Sequence, residues 1–168
     1  MNRNPVAVDI SKSVFQLSLG DAQHRIHTRR RLSRGQFMRW LHESETIWLI
    51  MEGCGSSHYW ARTAQALGHQ VTLLHAKHAQ VYVRGNKTDA ADADALMRAA
   101  FDVDLKPVAI KSEEHQALQS LHRIREQWQR ARVARINEAR GLLAEFGIVV
   151  RVGAAGVISP CMMFRNCV

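Results

Sequence analysis

The run Thr46-Ile47-Trp48-Leu49-Ile50-Met51, followed by Glu52-Gly53-Cys54-Gly55, decides the fold. An unbroken apolar and β-branched stretch without polar alternation describes a strand covered on both faces, which demands a layer on each side of its sheet. The glycines end the strand in a turn. A helical pattern through Tyr59, Trp60, Thr63 and Leu67 then closes at Gly68, and Gln70 to Leu74 reads as the next strand.

Toward the amino terminus, Val6 to Ile10 is a short β-branched strand, and Val14 to Leu19 alternates at period two before the Gly20-Asp21 turn. His24 to Arg29 is a weaker third strand. Ser33 is positioned as the N-cap of a helix carrying Phe37, Trp40 and Leu41 on one face. Toward the carboxyl terminus, a short helix is expected over Ala76 to Val83, and Thr88 caps an alanine-rich helix from Asp89 to Ala100. From about Ser112 to Phe146 only Gly141 interrupts a helical composition, and a single helix of ~50 Å fits at 1.5 Å per residue. The order β-β-β-α-β-α-β-α, then a long helix, predicts an α/β three-layer domain with a mixed five-stranded sheet. That order is the ribonuclease-H-like one.

Composition narrows the function. Hydrophobic residues at 46% and charged residues at 23% exclude wholesale disorder. No apolar run is long enough for a spanning helix, and the amino terminus lacks a signal-peptide stretch, so a cytoplasmic, soluble chain without membrane contact is expected. Lys and Arg number 23 against 15 Asp and Glu, a net charge of +8 with a pI near 10.1, which points to a polyanionic partner, nucleic acid first. Cys54, Cys161 and Cys167 form no CxxC pair, which excludes a zinc-knuckle or disulfide scaffold. His75 and His78 lack a third ligand nearby in sequence.

The chemistry lies in acids. Asp9 ends an apolar strand, Glu52 ends the most apolar strand, and Asp89 and Asp92 share one face of a helix's first turn. Strand neighbours lie ~4.8 Å apart, so carboxylates at adjacent strand ends can share one ion. Hard divalent cations take such oxygen ligands, and four carboxylates suit a Mg²⁺ pair, with Mn²⁺ as substitute, acting on a phosphodiester. Each acid also has a structural reading. Asp9 can serve as a turn residue, Glu52 as an acceptor for the glycine turn, and Asp89 and Asp92 as complements of the helix dipole. Asp94 falls on another face of the helix and reads as solvated.

Three segments carry a resemblance: Val8-Asp9-Ile10-Ser11-Lys12-Ser13-Val14-Phe15, Met51-Glu52-Gly53-Cys54-Gly55, and above all Gly85-Asn86-Lys87-Thr88-Asp89-Ala90-Ala91-Asp92-Ala93. Together they resemble the DEDD-type insertion-sequence transposases, the "IS one-ten" family, over about residues 5–150. The resemblance implies a Holliday-junction-resolvase-like domain of ribonuclease-H-like fold, with Asp9, Glu52, Asp89 and Asp92 as catalytic metal ligands. It further implies DNA as substrate, an element-encoded guide RNA, and a long helix used to join subunits into a homo-oligomer. The domains implied are 1–107 for the metal-binding domain, 108–150 for the long helix, and 151–168 for an atypical tail. The family's second domain, which bears a serine nucleophile, is expected to be absent from this chain. Val152 to Val168 keeps neither helical nor strand periodicity, so the tail reads as frameshifted or disordered, and the chain as incomplete for transposition.

Around the acids, Lys12, Arg29, Arg30, Arg31, Arg84 and Lys87 are candidate contacts to nucleic acid. On the long helix, Ala117, Leu121, Ile124, Trp128 and Ala131 form one apolar stripe, opposite a side rich in arginine from Arg123 to Arg140. Two other readings compete. One is a non-catalytic fragment that binds nucleic acid and dimerises. The other is a sugar-kinase or actin-like ATPase, disfavoured because the turn Ser11-Lys12-Ser13 has no glycine.

Overall fold

The strands form where β-branched and apolar residues alternate or run unbroken. The computed structural model describes residues 4–21, 23, 25–77, 81–82, 89–102 and 104–150, with the backbone alone at 89–91. The chain divides after Ser112 into two compact units. In the first, β1 (Pro5–Ile10), β2 (Val14–Gly20), β3 (Ile26–Ser33), β4 (Trp48–Glu52) and β5 (Gln70–Leu74) make one sheet of order β3-β2-β1-β4-β5. β1, β2 and β3 pair antiparallel, whereas β4 runs parallel to β1 and β5 parallel to β4.

Helices cover both faces, as the apolar run of β4 requires. On one face α1 (Arg34–Glu43) and α2 (Ser57–Ala66) bring Phe37, Leu41, Trp60 and Ala64 against Val8, Phe15, Leu17, Leu49 and Met51. On the other, α3 (Asp89–Ala99) seats Leu96, Met97 and Ala99 against Ala7, Ile50 and Leu74. The layers are therefore α1 and α2, then sheet, then α3. Ser33 caps α1 as expected, and its capping box with Gln36 satisfies two orphan amides. Gly68 at φ +87° ends the turn after α2, a backbone region that L side chains avoid.

One local expectation shifts. The third strand runs Ile26–Ser33 rather than His24 to Arg29. The Asp21 carboxylate accepts the amides of Gln23 and Arg25, each at 2.9 Å, and so holds the chain in its turn until Ile26. After Pro107 the chain is held by the sheet. Val108 donates its amide to Leu73 at 2.7 Å, and Val108 and Ile110 pack on the core. Half of the helix expected over Ala76 to Val83 falls outside the described residues, and the tail 151–168 lies wholly outside them.

The second unit contains α4 (Glu113–Glu145), which matches the long helix expected and ends at Gly147 with φ +73°. None of its residues is buried. Among the described residues, no helix is long and apolar enough to cross a membrane.

Candidate metal centre and nucleic-acid interface

Strand register builds the site. Val8 pairs with Met51 across the parallel β1–β4 ladder, and the next step of that register sets Asp9 beside Glu52 at the carboxyl ends of both strands. Successive side chains alternate faces, so Asp9 follows Ala7 and Glu52 follows Ile50 onto the α3 face. Antiparallel pairing extends the row, because Asp9 pairs with Gln16 and Gln16 with Arg31. Arg31, Gln16, Asp9 and Glu52 thus form one polar row across four strands, on a single face. Lys12 lies exposed in the β1–β2 turn, at the same end of the sheet.

α3 brings its first turn to that row. A Cβ on Gly20 would lie 3.2 Å from Met97 Cε and 3.2 Å from Pro5 Cγ, so Met97 sits over the start of β1. Asp94 sits over Ser18, which pairs with Ala7. The helix therefore runs antiparallel to β1, and its amino-terminal turn approaches the carboxyl end of that strand. Asp92 stands one turn before Leu96, on the stripe that faces the sheet, and is partly buried. Asp89 opens the helix, but its side chain lies outside the described residues, as do Arg84 and Lys87.

The three arginines of β3 separate by face. Arg30 pairs with buried Leu17 and so points to the α1 side, whereas Arg29 and Arg31 point to the α3 side. Arg29 is engaged: its Nη2 donates to Asp94 Oδ2 at 2.6 Å and its Nε to Oδ1 at 3.2 Å. Ser18 Oγ donates to the same Asp94 Oδ1 at 2.6 Å. Asp94 is thus a clamped carboxylate with its side chain 15% exposed, and the solvated role expected for it is corrected. Burial acts to raise its pKa, but the bonds from Arg29 and Ser18 hold it below the ordinary carboxylate value.

Sequence reasoning missed Gln16, Ser18 and Asp94. Period-two alternation in β2 does put Gln16 and Ser18 on one face, opposite Phe15 and Leu17, and that was the available sign for both. Carboxylate oxygens from Asp9, Glu52 and Asp92 are the hard donor set that Mg²⁺ or Mn²⁺ prefers, with no thiolate or imidazole among them. Among the described residues no three acids, histidines or cysteines form a group that could hold a metal ion, and the side chain of the fourth acid of the set, Asp89, lies outside them.

A mixed sheet of order 3-2-1-4-5, layered between helices, with acids at the carboxyl ends of its two central parallel strands, defines a ribonuclease-H-like domain. The family model described as "Transposase", for the DEDD-type IS110 group, matches residues 6–148. The chain belongs to this family of insertion-sequence transposases. It is 41% identical over 95% of its length to a probable family 20 transposase of Pseudomonas aeruginosa, covering 47% of that protein. It is 36% identical over 89% of its length to the transposase for insertion sequence element IS1111A of Coxiella burnetii, covering 41% of it. The transposase for IS1328 of Yersinia enterocolitica is 32% identical, with 89% of this chain and 45% of that one aligned. The chain thus spans less than half the length of these relatives. Among solved structures it is similar to T. thermophilus RuvC in complex with Holliday junction substrate, at TM-score 0.45 and 12% identity, over 63% of this chain and 99% of that one.

Proposed function

We propose that this chain provides the divalent-metal-dependent DNA-processing domain of an insertion-sequence transposase. The observation that carries this reading is the polar row Arg31, Gln16, Asp9, Glu52, with Asp92 of α3 approaching it on the same face. Asp9, Glu52, Asp92 and Asp89 would hold Mg²⁺, or Mn²⁺ in its place. Bound there, such ions would supply activation of a water or hydroxyl and stabilisation of the leaving oxygen of a phosphodiester.

The remaining residues hold the substrate. Arg31 stands two strands from Asp9, ~10 Å at the backbone, and a guanidinium on so long a side chain reaches a phosphate seated over the acids. Lys12 in the adjoining turn neutralises the next stretch of backbone, with Arg84 and Lys87 on the approach to Asp89 in the same role. Arg30, on the far face, and Arg29, bound to Asp94, take lesser parts in that contact. α4 leaves Leu121 at 64% and Trp128 at 72% exposed, which supports association with a second copy through this helix. Its arginine-rich side adds to nucleic-acid affinity, for DNA or a guide RNA.

The exposed α4 stripe also favours a second reading, in which the chain only binds nucleic acid and dimerises. Cleavage separates the two. Incubation with branched DNA and Mn²⁺ is expected to yield nicked product that Asp9→Ala abolishes. Binding without any cleavage, equal in wild type and Asp9→Ala, would favour the second reading.

A further inference from the structure

We propose that Asp94 is a positioning residue, which fixes α3 in register with the sheet so that Asp92 meets Asp9 and Glu52. The inference rests on the metal-site reading above and assigns a role to a residue outside the acid set.

The argument is one of adjacent rows. Ala7, Ser18 and Arg29 form a cross-strand row on the α3 face, and Asp9, Gln16 and Arg31 form the next row on that face. Asp94 binds two members of the first row, Ser18 and Arg29, through both carboxylate oxygens. Asp92 lies two residues earlier on the helix, toward the carboxyl end of β1, where the second row stands. A slip of α3 by one residue would move it ~1.5 Å and turn it ~100°, which no planar two-oxygen fork could follow. Ser18 is itself buried, so its hydroxyl has no water to turn to if Asp94 leaves.

A second contact pins the same register. Gly20 lacks the Cβ that would meet Met97, one turn beyond Asp94, at 3.2 Å, and so the helix settles closely on β2. Aspartate is a poor residue for a helix interior, where its side chain competes for backbone bonds. Its presence at position 94 is accounted for by what it grips on the sheet. Arg29, a nucleic-acid candidate by sequence, becomes the other half of that grip.

The test is calorimetric titration of Mn²⁺ into the full chain and its Asp94→Asn, Arg29→Gln and Arg29→Lys variants. Arg62→Gln serves as the control, because it removes a bond to the Lys111 carbonyl remote from α3. Melting of each variant is followed in parallel. Asp94→Asn and Arg29→Gln are expected to bind Mn²⁺ at least tenfold more weakly while still folded, and Arg29→Lys to recover part of the loss. Arg62→Gln, at a similar drop in melting temperature, should bind as wild type does. Should Asp94→Asn fail to fold, Ser18→Ala together with Arg29→Gln carries the same comparison. Wild-type affinity in the folded clamp variants, or an equal loss in Arg62→Gln, would overturn the positioning role. No Mn²⁺ binding by wild type would instead overturn the metal-site reading beneath it.

Discussion

Asp9 and Glu52 stand side by side at the carboxyl ends of two parallel strands, one register step beyond the pair Val8 and Met51. Both are partly buried, and both face the layer formed by α3. Two carboxylates so placed can share one divalent cation. Glu52→Gln is therefore expected to abolish the stabilisation that Mn²⁺ gives wild type. Thermal melts with and without Mn²⁺ check it.

The arginines of β3 make a prediction by face. Arg31→Ala should weaken binding to branched DNA and lower the slope of log affinity against log salt by about one unit. Arg30→Ala should change that slope less, since Arg30 points to the opposite face. Fluorescence anisotropy over a salt series measures the difference. Equal slopes for the two variants would contradict the assignment.

Much of this arrangement was legible in the sequence, and the omissions have physical causes. Ser33 and Gly68 announced helix ends because capping and left-handed backbone are local matters. Asp9 and Glu52 stood out because a carboxylate at the end of an apolar strand needs a partner. The extent of β3 was hidden by Asp21, whose side chain replaces strand pairing with a turn that charge and hydropathy do not reveal. Asp94 was read as solvated because it lies off the face of Asp92. That face was judged for a helix with one buried stripe, whereas Ala93, Ala95, Leu96, Met97 and Ala99 are all buried and more than one face of the helix is covered. Register between distant strands, which placed Gln16 and Arg31 in the row of Asp9, is a tertiary property that no window of sequence contains.

Protonation of His58 should unsettle the first unit in mild acid. Burial, with Lys111 and Arg62 nearby, lowers its pKa below the ordinary 6.5, and its Nδ1 accepts the Lys111 amide at 3.2 Å. The unfolded chain therefore binds the proton more readily than the folded one. The stability from His58 is complete above about pH 6.5 and is lost as pH falls from there toward the lowered value. Urea unfolding across pH 5 to 8 should show that decline in wild type and a shallower one in His58→Gln.

The aromatic core sets the largest single stability effect. Phe37 is fully buried and lies edge-on to Phe15 at 5.0 Å and to Trp60 at 5.1 Å. Phe37→Ala removes both contacts and leaves a cavity, at a cost of about 3–5 kcal/mol. Chemical denaturation followed by tryptophan fluorescence would register it, and a loss under 1 kcal/mol would show the core collapsing around the gap.

The exposed stripe of α4 predicts concentration-dependent association. Leu121→Asp with Trp128→Asp should shift the chain to monomer in sedimentation velocity without lowering the melting temperature of the first unit, since neither residue is buried within the chain. Unchanged sedimentation of this variant would assign the stripe to another partner.

The central claim is that segments far apart in sequence hold one divalent ion. Titration of Mn²⁺ into wild type, Asp9→Ala and Asp89→Asn tests it most directly. The account predicts saturable binding by wild type that both substitutions abolish, although the two residues lie on different elements of the fold. Binding that survives either substitution unchanged would contradict a site shared between β1 and α3.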